Sequence, residues 1–575
     1  MYTFGGWAVG VAAVSAGEVH PGRACRVLGV VVGEQLVWDV EADVVVLGSG
    51  GAALIAALSA HHHGAAEVVV LEKSGMVGGT TAMSGGMLWI PLNHHQAEHG
   101  VEDSVDDVVA YLDAMAPDRL EPDAVSGFLE GGPEMVRFLA EHTPVRLRLF
   151  TGFPDYQPNM VGAKAGGGRS LDPEAYPFDE LGAWASRVNP PKSGLPKLTS
   201  RMEDYYHEVD ADQREQRRTR DFRGQGQALI GSLLKGVVDR AIPIHFDMRA
   251  RQLVVDGGRV VGVIAECDGR QVRYRARRGV VIATGGFEWN EQLVKAFLRG
   301  PMTGPISVPE CEGDGLLMAM EVGASLGNMA NAWWMTSSRE STAGHRDARA
   351  SYLPSQVERT FPGSIMVNRA GRRFVNEALN YNAIGFVLHN YDAEVYEFPN
   401  LPYWLIFDQR FLRNYRVFTS RPGGPAPSWA TSAATLAELG SKVGIDGVAL
   451  TATVARFNGD VIGGHDDEFG RGDSTYDNFW GDQTLAPPMS TLGVIDEAPF
   501  YAIEMEAGAN GTCGGPRANA DAQVLDWNDQ PILGLYVASN TMAAVTGGGY
   551  GGAGGTIGPG MTFGYLAGRH AAAQN

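Results

Sequence analysis

The sequence predicts an α/β chain: a domain built on a parallel sheet, assembled from two separated stretches, with an α+β domain inserted between them. Three observations predict it. Val44-Val45-Val46-Leu47 and Val68-Val69-Val70-Leu71 are short apolar runs of the kind buried on both faces of a parallel sheet. Between them lie a glycine turn and a helical run, so strand, helix and strand follow at the spacing of a βαβ crossover. After a middle stretch rich in Trp, Met, Tyr and Pro, the same style of strand and glycine loop returns at residues 531–540 and 547–555.

Composition narrows the classes. With 575 residues at 44% hydrophobic content, the chain can bury two cores. A net charge of −20 argues against nucleic acid or an anionic membrane surface as partner. Cys25, Cys267, Cys311 and Cys513 stand singly, with no CxxC pair, so zinc-ribbon, c-type haem and iron–sulfur motifs are unsupported. No metal is expected, and a reducing compartment, the cytoplasm, is. No apolar run has the length of a membrane span, and no Lys or Arg precedes Arg23, against a secretory signal.

In chain order, residues 1–40 form an extension of unassigned role, with a hairpin expected over 27–37. Residues 41–290 open the first domain. Gly48 allows the sharp turn after the strand, and Gly50 lets backbone approach a pyrophosphate. Ser49, Gly51 and Ala52 complete the turn into a helix whose free N–H groups face that phosphate; Ala53 replaces the third glycine of the pattern. Glu72, ending the second strand with Lys73 behind it, can accept from a ribose. The next segment, Gly78 to Pro91, decides the nucleotide: Gly79, Thr80, Thr81, Ser84, Gly85 and Gly86 carry little bulk, which suits backbone laid along a flat three-ring system. The prediction is a Rossmann-like FAD-binding domain, discontinuous in sequence.

Helices are expected near residues 105–115 and 135–142, and a loop with two aromatics at 151–158. Residues 160–200, rich in Gly, Pro and Ser, read as a covering excursion. The basic run 214–220 reads as a solvated helix face, and 226–238 as an apolar helix. A hairpin with an Asp-Gly turn is predicted over 253–263. The strand that follows runs into Ala283, Thr284 and Gly285, returning the chain to the nucleotide. Residues 291–495 are assigned to the inserted substrate domain, where Trp333, Trp334, Met335 and Phe361 could line an apolar slot. In the final stretch, 496–575, Asn540 ends a strand, and Thr556 and Ile557 open a terminal helix whose N-terminus can hold negative charge on a reduced flavin.

Further motifs carry a resemblance: Phe153-Pro154-Asp155-Tyr156, Asn331-Ala332-Trp333-Trp334, Pro362 to Asn368, Arg373-Phe374-Val375-Asn376-Glu377 with Tyr381, and Tyr550 to Gly564. With them, from about Ala42 onward, the chain resembles the 3-ketosteroid Δ1-dehydrogenases, within the wider fumarate-reductase-like flavoproteins. The resemblance implies non-covalent FAD, and no histidine for covalent attachment stands near Thr80-Thr81. It implies a keto-anchoring hydroxyl at Tyr550 with the Gly554 N–H, a catalytic base at Tyr381 and a supporting hydroxyl at Tyr156. It also implies a steroid substrate and a separate electron acceptor, a quinone among the candidates. Departures from the family pattern are Gly551 where Pro is usual, Cys513 within Thr512-Cys513-Gly514-Gly515, and Ser539 before Asn540.

The chemistry is coherent on its own terms. Removing two hydrogens next to a ketone needs an electrophile on the carbonyl, a base for the α-proton and a hydride acceptor on the other face. Tyrosine ionises near pH 10, so Tyr381 needs help, expected from a donating Tyr156 hydroxyl. Tyr550, between glycines, is expected to have little to pack against. Three rivals are carried: a 3-ketosteroid Δ4-dehydrogenase, a fumarate-type enoate reductase using Arg as proton donor, and a flavin scaffold without its own substrate.

Overall fold

The computed structural model describes residues 37–192, 196–340 and 352–574. The hairpin expected over residues 27–37 falls almost wholly outside them, as does Cys25.

The strand Val40–Leu47 stands in the middle of a sheet, parallel to Val68–Leu71 on one side and to Arg270–Ile282 on the other. Pro531–Val537 extends it parallel to Arg270–Ile282, so the C-terminal stretch completes the N-terminal sheet. Val44, Val45 and Val46 are fully buried, as residues covered on both faces must be. The helix Gly51–His62 crosses the sheet and packs along the C-terminal helix Ile557–Ala572, where small residues, Ala52 and Ala56 against Gly564 and Gly568, bring the two backbones together. The predicted hairpin is present as Arg249–Asp256 and Arg259–Cys267, turning at Gly257 and Gly258 with φ of 56° and 79°, the left-handed pair that hairpin twist favours. The basic helix Ala211–Thr219 is solvated as expected, with Arg217 paired to Glu203.

The second sheet is antiparallel, in the order Tyr352–Pro354, Ala332–Arg339, Phe500–Thr512, Tyr403–Asp408, Ser364–Asn368. Ile365, Val367, Trp404 and Ile406 on one face pack against Leu450, Val454 and Phe457 of the helix Gly447–Gly463. This is the α+β architecture expected of the insert. Phe500–Thr512 is paired on both sides within this sheet. We therefore place the return to the first domain after Thr512 rather than at 495/496.

A small third sheet joins Leu88–Trp89, Gly167–Pro173 and Leu147–Thr151. Gly167–Pro173 is buried along its whole length. The expected covering excursion is thus partly interior, because Arg169, itself fully buried, bonds Asp103 at 2.6 Å and Asp155 at 2.8 Å. Glycine-rich composition hid a strand whose polar residues are satisfied by each other.

Candidate active site

The nucleotide cradle is made of backbone. Gly48 has φ of 101°, and a Cβ there would run into the Ala283 carbonyl at the end of the neighbouring strand. Gly50 caps the helix Gly51–His62 without a side-chain cap, so first-turn N–H groups stay available; only Gly51 donates sideways, to Thr81 Oγ1 at 3.3 Å. In front of them is room: a Cβ on Gly50 would meet only Thr81 Oγ1 at 3.9 Å, and on Gly79 only the Gly50 Cα at 3.8 Å. Ser49 Oγ donates to Glu72 Oε2 at 2.5 Å and accepts from the Gly78 N–H at 3.2 Å, tying turn, acid and glycine segment together. Glu72 also accepts from the Ser74 N–H at 2.8 Å. Burial pushes its carboxyl up, and these bonds oppose that. An open anion-accepting helix end beside a fixed acid fits a dinucleotide.

Other expected contacts sort differently. Lys73 is held by Asp314 at 2.8 Å and Glu312 at 3.2 Å, so its ammonium serves an ion pair. Thr80 Oγ1 accepts from the Val308 N–H at 3.3 Å, and Ser84 Oγ donates to the Thr81 carbonyl at 2.7 Å. Gly86 lies against the Gln225 backbone, and Gly85 beside the Arg201 guanidinium. Thr284 Oγ1 meets Thr541 Oγ1 at 3.3 Å, while Thr541 Oγ1 donates to the Gly285 carbonyl at 2.9 Å. Asn540 Oδ1 accepts from Trp333 Nε1 at 3.1 Å, linking the cradle to the insert. A cleft lined by Trp333, Asn540, Gly555, Thr556 and Gly560 leads to the start of the terminal helix at Ile557, which has no side-chain cap.

The tyrosines converge from three distant stretches. Asn380 caps the helix Tyr381–Leu388 by accepting from the Ala383 N–H, and its Nδ2 donates to the Tyr156 carbonyl at 3.1 Å, so one side chain registers both tyrosines. The Tyr156 N–H in turn donates to the Gly551 carbonyl at 3.0 Å, fixing the third. The Tyr156 and Tyr381 hydroxyls are 3.0 Å apart. The Tyr550 ring stacks on Tyr156 at 5.1 Å and meets Tyr381 edge-on at 5.2 Å and Trp333 at 5.3 Å. Tyr550 is therefore well packed, contrary to expectation: the glycines around it let other rings come close, and a Cβ on Gly551 would meet the Trp89 ring at 2.7 Å. Gly554 has φ of 95°, and a Cβ there would strike the Met87 carbonyl.

Burial pushes the Tyr381 hydroxyl well above the ordinary tyrosine range, and Tyr156 and Tyr550 add to the shift. The hydrogen bond between Tyr156 and Tyr381 raises Tyr381 and lowers Tyr156, the reverse of the expected assistance. Burial also raises Tyr156 itself well above that range.

Strand alternation divides the expected slot. Trp333 and Met335 face the tyrosines, whereas Trp334 points the other way, into a core with Phe287 and Leu298. Phe361 packs in a third cluster around Tyr403. Sequence reasoning missed Tyr476, 1% exposed, whose ring lies 5.0 Å from Tyr156. A lone tyrosine in a loop-rich stretch gives no pattern by which to find it.

Comparison with known proteins places the fold. The FAD binding domain family matches residues 43–557. A 4-oxocyclohexanecarboxylate 2-dehydrogenase of Sinomonas cyclohexanicum is 40% identical over 541 residues, 92% of this chain and 93% of that protein. A 3-oxosteroid 1-dehydrogenase of Mycobacterium tuberculosis is 38% identical over 568 residues, 93% of this chain and 99% of that one. The crystal structure of a 3-ketosteroid Δ1-dehydrogenase from Sterolibacterium denitrificans, in complex with 1,4-androstadiene-3,17-dione, superposes with a TM-score of 0.85 at 32% identity, covering 93% of this chain and 99% of that one. The fold and cradle define an FAD-dependent oxidoreductase. Within that class the chain belongs to the FAD binding domain family, as a flavoprotein of the 3-oxosteroid 1-dehydrogenase type.

Proposed function

We propose that this protein removes two hydrogens from the carbon pair next to a ring ketone, with a 3-ketosteroid dehydrogenated at carbons 1 and 2 as the leading case. The observation that carries the reading is the meeting of Tyr156, Tyr381 and Tyr550 in one buried cluster with the Gly554 loop beside it. Tyr550 and the Gly554 N–H would hold the ketone oxygen, which gains charge as the α-proton leaves and so rewards donors most in the transition state. Tyr381 would take that proton, with Tyr156 holding its hydroxyl in line. The Gly48–Gly50 turn, Glu72 and the terminal helix would hold FAD non-covalently, and bound FAD supplies the hydride acceptor. A 3-ketosteroid substrate is supported by the steroid dehydrogenases among the relatives and by the bound steroid in the superposed structure. A second reading, a monocyclic oxo acid, is favoured by the 40% identical relative. No helix among the described residues is long and apolar enough to cross a membrane. Among the described residues Cys267, Cys311 and Cys513 form no disulfide, which fits the proposed cytoplasmic location; the electron acceptor we propose is a quinone.

The test is anaerobic. FAD-loaded enzyme should bleach with a saturated 3-ketosteroid and not with succinate, and the product should carry its new double bond at carbons 1 and 2. A bond at carbon 4 would transfer the reading to the Δ4 reaction. Acid-denatured protein should release all its yellow colour; flavin retained on the chain would overturn non-covalent binding.

A further inference from the structure

The expectation of no metal rests on the cysteines, which stand singly in the sequence. A different donor set lies on the turn that follows the strand Leu88–Trp89. His94, His95 and Glu98 each offer one ligand atom, and the three atoms lie within 4.8 Å of one another. Their spacing explains the convergence. His94 has helical φ and ψ and opens the short helix His95–Glu98. Helical residues advance by about 100° each, so position i+4 falls at about 40°, between i and i+1. Glu98 therefore stands between the two histidines. Their rings are 4.1 Å apart, and His95 Nδ1 is 3.0 Å from Glu98 Oε2.

The turn is fixed before any ion arrives. Asn93 Nδ2 donates to the Ile90 carbonyl at 2.7 Å, and the Gln96 N–H donates to the Asn93 carbonyl at 3.1 Å. Gln96 is buried, and its Nε2 donates at 3.0 Å to Asp103, the acid that also holds Arg169. Ligands on fixed backbone lose less freedom on binding.

An ion pair alone would account for His95 and Glu98, and exposed pairs are worth little. It leaves His94 unexplained: its Nδ1 is buried without a hydrogen-bond partner, which costs free energy. Two imidazoles and a carboxylate form a donor set of zinc. With bonds of about 2.0–2.2 Å, tetrahedral zinc holds its ligand atoms about 3.4 Å apart, so short side-chain rotations close the present spacing. On the outer side, His95, Glu98 and His99 line a cleft of about 400 Å³, a path for the ion and room for a water ligand.

We propose that His94, His95 and Glu98 form a zinc site with three protein ligands and a fourth position open to water. None of the three belongs to the nucleotide cradle or the tyrosine cluster. Through Asn93 and Ile90 the ion ties down the strand whose Trp89 N–H donates to the Gly554 carbonyl at 3.2 Å.

The experiment uses tag-free, FAD-loaded, full-length enzyme stripped with a chelator and titrated calorimetrically with zinc sulfate. One tight equivalent per chain is expected, with a melting temperature that rises with zinc concentration. His94→Gln and Glu98→Gln should each weaken binding at least about tenfold and abolish that rise, while keeping FAD and turnover. If His94→Gln fails to fold, Glu98→Gln, at an exposed position, is read alone. A second histidine pair serves as control: His62 and His142 have rings 4.2 Å apart, and His142→Gln should leave the isotherm unchanged. No tight equivalent in the wild type, or one that survives in Glu98→Gln, would overturn the site. So would an isotherm lost with His142→Gln.

Discussion

The nucleotide cradle and the tyrosine cluster lie side by side, yet they are built on opposite plans. The cradle is continuous in sequence, from Gly48 to Gly86, and works through backbone: a left-handed turn, a helix end and a strip of small residues. The cluster is discontinuous, drawn from residues 156, 381, 476 and 550, and the chemistry proposed for it rests on side-chain hydroxyls held by packing. A backbone site leaves a spacing pattern in the sequence because few residues can adopt its geometry. A side-chain site leaves only isolated letters, since any tyrosine can be in a core.

That contrast can be broken by substitution, beginning with the largest effect. Gly48→Ala should yield protein without FAD and without activity, because the added methyl meets the Ala283 carbonyl at a φ that side chains avoid. Normal flavin content, read from the visible spectrum, would show the turn to be more forgiving than its geometry. Tyr381→Phe should keep its flavin and lose ~10²–10⁴ in turnover, the usual worth of a general base. Tyr550→Phe should lose ~10²–10³, with steroid affinity less changed. Loss of FAD in place of rate, in either tyrosine variant, would erase the distinction between the two sites. Tyr156→Phe should cost about tenfold, the net value of one hydrogen bond, and shift the pH profile.

The smallest effect concerns pH. Folding raises the pKa of Tyr156, Tyr381 and Tyr550, so the folded chain keeps protons that the unfolded chain gives up near pH 10. Their contribution to stability is complete below that pH and is lost as pH rises above it. Turnover should climb with pH as the base ionises, until the melting temperature begins to fall. A melting temperature flat to pH 11 would show that the hydroxyls are not buried in solution.

What could be read in advance follows the same division. Strands 44–47 and 68–71, the hairpin turning at Gly257 and Gly258, and the helix opening at Ile557 were all legible from local pattern. Tyr156, Tyr381 and Tyr550 were found only through family likeness. Trp334 reads equally as slot or core in the sequence, and strand alternation puts it in a separate core from Trp333. Lys73 follows the cradle acid in sequence but answers to Asp314, more than two hundred residues on. Gly167–Pro173 was hidden because its glycine and its arginine suggest surface, while its partners Asp103 and Asp155 come from elsewhere.

One feature of the fold bears on how the chain is made. The first helix of the cradle packs along the last helix of the chain, and the central strand of the insert's sheet, Phe500–Thr512, is also supplied late. A ribosome therefore delivers more than four-fifths of this protein before either sheet can be completed. Until then the apolar faces of Gly51–His62 and Ala332–Arg339 wait for distant partners, the situation in which loop-closure entropy slows folding and chaperones earn their keep. The last helix acts as the latch of the whole molecule, and a stop codon just ahead of it would leave a chain with nearly all its residues and no completed first domain.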